Sequence, residues 1–575
     1  MAVIRMILFV LSTIGTWEIL RHRVRFHESF LPSLTVALQV FLLLAAGLLH
    51  GLLGMAAALE AAGLTGLAYY TFREKGRNLK TWLKIEYLFL LLGMAGLCFC
   101  VRGRIFTHYD NFSHWALVVK KMLRMDRFPD PGMTGITYWA YPLGSTVYVY
   151  FAGRLTGGGE TLWMLAQGYV MLTCLMPLFQ LCRGNRFIAL VVILFAGNFL
   201  LSYNVGVTEL LVDTFLPMVG MCALLFVHAN RDQPAKAAPA VFLYLVWILQ
   251  IKNSAAFFGL LVALVYLYYA GKQHRFWLGA GCAAAGFGSV LIWSWHCKVT
   301  YPAAEASKHS LSSSWWQEAL GEKTVEDVKY ILLEVTRFAV RWKALWFCVL
   351  LLALIGAGYL LIRRDRLMAF GKAAAGILGI YAAWQIGLQL MYILSMTRME
   401  ALQLTSLIRY EKTIVIAMVY LMTALALSLL QPAKPGVLAS TGVALLMSAS
   451  LLFLSWNSED TSRGVYDYRP YRIGIYDGLE VRNWMEKLKA ENDLPEKGDY
   501  AILIEDWDSD YFYFLGMYLF PDSNIDVFEE IGTESLKRII QAQYLLNHDR
   551  ENPVVREWLH REYPEQEEND LVLLR

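Results

Sequence analysis

The stretch Ala344-Leu345-Trp346-Phe347-Cys348-Val349-Leu350-Leu351-Leu352-Ala353-Leu354-Ile355-Gly356-Ala357-Gly358-Tyr359-Leu360-Leu361-Ile362 runs for nineteen residues without a charge and ends on Arg363-Arg364-Asp365-Arg366. About 20 apolar residues in a helix cross the hydrocarbon core of a bilayer, so the stretch reads as a membrane span stopped by a basic cluster. Similar runs recur from Met1 to about Trp456, and the length criterion gives about fourteen spans. The first, Met1 to Leu20, lacks a small-residue cleavage site and leads into Arg21-His22-Arg23-Val24-Arg25. It is expected to be a retained span.

With 57% hydrophobic residues, 17% charged residues and a mean hydropathy of +0.43 over 575 residues, the chain is far more apolar than a soluble protein of its size, and a water-soluble fold is a poor starting point. The net charge of +3 conceals a division: residues 457–575 carry 27 Asp/Glu against 13 Lys/Arg, or −14, which leaves +17 on the rest. The eight cysteines lie in or beside apolar runs without metal-ligand spacing, so neither disulfides nor a zinc site are expected. No repeat or low-complexity tract stands out.

Lys and Arg in short loops mark the cytoplasmic side. Arg21/Arg23/Arg25, Arg73/Lys75/Arg77/Lys80, Arg183/Arg186, Arg231/Lys236, Lys272/Arg275 and Arg363/Arg364/Arg366 fall at alternate connections. The alternation requires the run from Ala237 to Gly271 to be two short spans broken at Ile251-Lys252-Asn253-Ser254. The outward side then holds long loops at about 102–160 and 298–341, a short connection at about 398–410, and everything after Trp456. The expected architecture is a polytopic α-helical domain, 1–456, followed by a small extracytoplasmic α/β domain, 457–575. In the latter, Leu479 to Leu488 reads as a helix, Tyr500 to Ile504 as a strand, Tyr511 to Phe520 as an aromatic helix and Leu571 to Leu574 as a last strand.

The first outward loop begins Thr107-His108-Tyr109-Asp110-Asn111-Phe112-Ser113-His114-Trp115. Asp110 at the membrane boundary could act as a general base; equally, Asp110 or Asn111 could cap a helix from about Phe112 to Met125. The loop continues to Tyr138-Trp139-Ala140-Tyr141-Pro142-Leu143-Gly144-Ser145, where the chain is expected to re-enter the interface before an amphipathic helix. Ionisable groups in or beside spans are costly and usually face a cavity or a partner. Glu209 and Asp213, four residues apart, are expected on one helical face, either toward substrate or as ion-pair partners of Lys252. Lys252 could meet a lipid phosphate or snorkel to the interface. Arg409, followed by Tyr410, could bind phosphate through paired hydrogen bonds or anchor a helix end. His296, Lys298, Lys308 and His309 surround the second loop, with Ser312-Ser313-Ser314-Trp315-Trp316 inside it, and suggest a mobile, substrate-facing segment.

The acidic start of the first loop and its later Tyr141-Pro142 resemble the GT-C superfamily of membrane glycosyltransferases. The Tyr109 to Trp115 string is similar to a Tyr-Asp-Glu-Phe-Ser-His-Trp string of bacterial envelope members; protein mannosyltransferases and aminoarabinose transferases are more distant. Three later segments are also similar to those members: Glu209 to Asp213, Ile251-Lys252-Asn253 and Leu404 to Tyr410. The resemblance implies a polyprenyl-phosphate-linked sugar donor, an envelope glycan, lipid or protein acceptor, and a multi-pass protein of a bacterial plasma membrane. Asp110 would be the catalytic base, with His114, Tyr141, Glu209, Asp213, Lys252, Arg409 and Tyr410 binding substrate or lipid phosphate. Where those members usually have an acid this chain has Asn111, a poorer ligand for a hard cation, so no cofactor is expected to be required, and a divalent metal stays open without support. The lipid bilayer is an expected partner and nucleic acid is not. A transporter or flippase, an envelope polymerase or ligase, and a non-catalytic assembly protein stay open as other readings.

Overall fold

Nine helices long and apolar enough to cross a bilayer occur among the described residues of the computed structural model, from Val3–Arg23 to Leu407–Leu429. Those residues are 2–77, 82–133, 135–204, 206–301, 313–430, 437–457, 478–504, 508–530, 532–549, 552–566 and 569–574. Lys80, Lys308, His309, Ser312 and the expected start of the C-terminal domain, 458–477, lie outside them. Five shorter apolar helices accompany the nine: Ile85–Val101, Arg186–Ser202, Phe215–Ala229, Pro234–Leu249 and Ser440–Leu451. Apolar side chains face outward from these helices, among them Trp277 at 84% exposure, Leu361 at 80% and Leu291 at 73%. Water would not tolerate so much apolar surface, and a bilayer covers it. The chain is a polytopic helical membrane protein.

The run from Ala237 to Gly271 breaks where the charge alternation required. Pro234–Leu249 ends at Gln250, a short 3-10 turn spans Asn253–Ala255, and Ala256–Lys272 follows and packs back on its predecessor.

The chain divides into two compact units. The first comprises Met1–Ile105, Asp126–Phe128 and Trp139–Pro470. Within it, Leu407–Leu429 is enclosed by neighbours that include Phe215–Ala229, Arg186–Ser202 and Lys343–Ile362, and the Tyr420 hydroxyl donates to the Cys174 carbonyl at 2.7 Å. Lipid gives helices no hydrophobic reason to associate, so close backbone packing at small residues takes over. Gly63 shows this: a Cβ there would lie 2.2 Å from the Ser12 carbonyl oxygen of the first helix. The helix Thr146–Thr156 is buried on nearly every side, not amphipathic as expected, because other helices enclose it.

The described part of the second loop makes specific contacts, while Lys308, His309 and Ser312 of the segment expected to be mobile lie outside the described residues. Thr324 and Asp327 form a reciprocal cap on the helix Val325–Arg341. Arg398 pairs with Asp327 at 2.8 Å, the Trp315 indole donates to the Ser395 carbonyl at 2.8 Å, and Lys323 donates to the Met396 carbonyl at 2.7 Å.

The second unit comprises Phe106–Met125, Pro129–Tyr138 and Tyr471–Arg575. Its strands are β1 (Asp499–Leu503), β2 (Asn524–Phe528), β3 (Tyr544–Asn547) and β4 (Leu571–Leu573), in the spatial order β2-β1-β3-β4. β1 is parallel to both β2 and β3, and β4 is antiparallel to β3. Ala501 and Leu503 pack with Leu545, Val572, Ile539, Val555 and Leu559 in one apolar core. Tyr500 stacks on Phe520 and Tyr544 instead. The helices Gly478–Glu491 and Ser509–Leu519 and strands β1 and β4 match expectation; β2 and β3 were not foreseen.

Part of the first long loop belongs to this unit. The Tyr511 hydroxyl donates to the Thr107 carbonyl at 3.1 Å, the Lys120 ammonium to the Tyr518 carbonyl at 2.6 Å and the Lys121 ammonium to the Pro521 carbonyl at 2.5 Å. Phe112 packs edge-on to Tyr511, and Tyr109 edge-on to Phe514. Residues 106–125 and the C-terminal fold therefore lie on the same side of the membrane.

Candidate functional site

In the membrane unit, three interruptions of helical structure carry the expected polar residues. Non-helical backbone inside a bilayer is tolerated only where protein buries it or where it lines a cavity. The first interruption, residues 203–214, corrects an expectation: Glu209 and Asp213 do not share a helical face, because Arg186–Ser202 ends before them and Phe215–Ala229 begins after. Its described residues are buried, and side chains replace the missing helical partners. Gln167 donates to the Glu209 carbonyl at 2.8 Å, and the Gly206 amide reaches the Thr214 hydroxyl at 3.3 Å.

The second interruption, at Gln250 to Asn253, presents Lys252 in extended backbone. The third precedes Leu407–Leu429, where Leu404 (φ 50°) and Ser406 (φ 63°) are both left-handed. Two such residues without glycine in three positions mean stored backbone strain, which concentrates at functional sites. The Tyr392 hydroxyl holds the intervening Thr405 carbonyl at 2.7 Å, and Asn204 holds the Arg409 carbonyl at 3.0 Å.

These interruptions converge on Asp213. Its Oδ1 lies 3.5 Å from the Lys252 ammonium, and its Oδ2 lies 3.5 Å from the Arg409 Nε. Tyr410 adjoins both cations, its ring centre 5.3 Å from the Lys252 Nζ and 5.7 Å from the Arg409 Cζ. The Asp213 and Lys252 side chains are 6% and 9% exposed, so little solvent screens the pair. Asp213 is shared between two cations, and its contacts of 3.5 Å are looser than charge-assisted bonds of about 2.7–2.9 Å. Such a cluster is suited to an anion.

The Tyr141-Pro142 element belongs to the same unit and runs up to this break. The Gly144 amide donates to the Gln250 carbonyl at 2.5 Å, and the Trp293 indole holds the Ala140 carbonyl at 3.0 Å. A Cβ on Gly144 would lie 2.5 Å from the Gln250 carbonyl oxygen, so glycine is required for this approach.

Asp110 and His114 belong to the other unit. The helical cap expected of Asp110 or Asn111 is supplied by His108, whose Nδ1 accepts from the Asp110 amide at 3.1 Å. The helix is also not continuous: Tyr109–Ser113 ends at His114, whose backbone (φ −154°) leaves the helical region, and Trp115–Met125 restarts after it. His114 is buried against Trp115 and Tyr138. Asp110 is half-buried beside Tyr109. Burial, reinforced by Tyr138, Asp510, Asp110 and Asp508, pushes the Tyr109 phenol above its ordinary value.

Gln167, Asn204 and Gln250 act in the membrane site without having been singled out. So does the neighbouring pair in which Gln385 donates to the buried Glu411 at 2.7 Å. A polar side chain inside an apolar run was the one sequence signal they gave. Among the described residues no group of three or more His, Cys, Asp or Glu could hold a metal ion. Comparison with family models, with curated proteins and with solved structures finds no match to this chain.

Proposed function

We propose that the chain is a GT-C-type membrane glycosyltransferase that moves a sugar from a polyprenyl-phosphate-linked donor to an envelope glycan, lipid or protein. The observation that carries this reading is the Asp213–Lys252–Arg409 cluster beside Tyr410, within the segments that resemble the superfamily. In the proposed reaction the acceptor hydroxyl attacks the anomeric carbon and gives its proton to Asp110. The bond from that carbon to phosphate oxygen breaks with its electron pair on the phosphate, so the anomeric centre inverts. Lys252 and Arg409 hold the phosphate through this change, and their positive charges favour the departing, more negative form. Asp213 keeps the two cations in place.

The proposed setting is a bacterial-type plasma membrane crossed about fourteen times, with residues 106–125 and the C-terminal domain on the exported face. Loop charge supports this orientation. Envelope glycans from wild type, a deletion strain and strains carrying Asp110→Asn or Arg409→Ala test the reading. Asp110→Asn should abolish transfer at normal protein abundance, and Arg409→Ala should weaken donor use; wild-type glycans in the Asp110→Asn strain would remove Asp110 from the reaction.

A transporter or flippase of lipid-linked saccharides is the second reading, favoured by the interrupted helices around buried charges. It predicts that substrate accumulates on one face of the membrane with its sugar still attached.

A further inference from the structure

The strand order of the C-terminal sheet creates a place for a ligand. β1 lies centrally, with β2 on one side and β3 on the other, so the connections leaving the sheet diverge between the carboxyl ends of β1 and β3. Open α/β sheets bind ligands in the crevice beyond such a switch point.

At that end of β3 the chain places Asn547-His548-Asp549. The backbone there is fixed: the Asn547 amide donates to the Asp570 carbonyl at 2.7 Å, and the His548 amide donates to the Leu503 carbonyl, at the end of β1, at 2.9 Å. Asn547 and Asp549 are 1% and 2% exposed. Yet among the described residues Asn547 Oδ1 and Asp549 Oδ1 have no hydrogen-bond partner, although Asp549 Oδ2 accepts from Asn552 at 2.8 Å. Buried acceptors of this kind are uncommon in folded proteins unless a ligand, ion or water completes them.

We infer that the carboxyl ends of β1 and β3 form a binding site for a neutral saccharide, whose hydroxyls donate to Asn547 Oδ1 and Asp549 Oδ1. Asn547 Oδ1 and Asp549 Oδ1 are acceptors, so the ligand must bring donors to them. The Asp549 carboxylate repels phosphate, which separates this site from any that holds a lipid phosphate. The half-buried Trp484, fixed by its indole donating to Asp570 at 3.1 Å and packed edge-on to His548, supplies an apolar surface for the C–H face of a sugar ring. The inference deepens the proposed function by giving the C-terminal domain an acceptor-holding role, while its observations are independent of the membrane cluster.

The test is saturation-transfer NMR on the full chain in lipid nanodiscs, free of sugar-based detergent, against glucose, galactose, mannose, N-acetylglucosamine and maltose, with calcium and magnesium as a separate arm. At least one saccharide should bind, and Asp549→Asn and Asn547→Ala should each weaken it about tenfold or more. Glycan transfer by the Asp110→Asn strain is read separately from this binding, so a failure of glycosyl transfer is distinguishable from a failure of this site. Absence of binding by every sugar, or binding unchanged in both variants of folded protein, overturns the inference. Metal binding that Asp549→Asn removes, without sugar binding, overturns it in favour of a cation site.

Discussion

The hydroxyl of Tyr511 donates to the carbonyl of Thr107 at 3.1 Å across 404 residues of sequence, three positions before Asp110. It also reaches the Gly478 carbonyl at 3.2 Å, and Gly478 is needed there because a Cβ would lie 2.2 Å from the hydroxyl. The C-terminal fold thus grips the segment that bears Asp110.

Removing that grip should be measurable. Tyr511→Phe keeps the ring contact with Phe112 and deletes the hydroxyl, which is worth about 1 kcal/mol for an ordinary hydrogen bond and more where a carbonyl is left buried. Hydrogen exchange should rise in residues 106–125 while β1 to β3 stay protected. Unchanged exchange there would show that the aromatic contacts alone hold the segment.

Asp213→Asn removes the carboxylate that Lys252 and Arg409 share. Breaking a buried pair by losing one partner costs about 3–5 kcal/mol, because a charge is left uncompensated. The variant should lose folded yield and melt earlier, and adding Lys252→Met should recover part of the loss. Additive losses in the double variant would mean that the pair is not coupled.

Gly144→Ala should push the Tyr141-Pro142 element away from Gln250, at about 1–3 kcal/mol for overpacking. Because Gln250 leads directly into Lys252, donor use should fall more than protein abundance. A thermal-shift and transfer-rate comparison separates the two, and a wild-type rate would show that the element tolerates displacement.

The Arg398 guanidinium, with the Thr324 amide, holds the Asp327 carboxyl below the usual carboxylate range. A depressed carboxylate contributes stability that is complete above its unfolded value, about 3.9, and is lost as pH falls through its folded value. Docking of Val325–Arg341 should therefore be constant from neutral pH to about pH 5 and weaken on further acidification. Asp327→Asn should remove that dependence, with protease accessibility of the helix as the readout.

Much of the membrane architecture was legible because its cause is local. Nineteen uncharged residues from Ala344 to Ile362 specify a span whatever surrounds them, and Lys252 within an apolar run announces a break. The strand Tyr500 to Ile504 and the helix after Ser509 were readable for the same reason. β2 and β3 were not: Asn524–Phe528 has five residues with Asn524 and Asp526 among them, and Tyr544–Asn547 has four, too few for a period to emerge.

Sequence by itself determined the many spans, the acidic C-terminal fold, and the candidates Asp110, Asp213, Lys252 and Arg409. Tertiary structure alone decided that Asp213 meets Lys252 and Arg409 from a buried non-helical segment, and that Asp110 belongs to a unit built largely from the C-terminal fold. The physical reason is range. Hydrophobicity and helix length act through neighbours in the chain, whereas Asp213 and Arg409, or Thr107 and Tyr511, meet only when distant segments pack together.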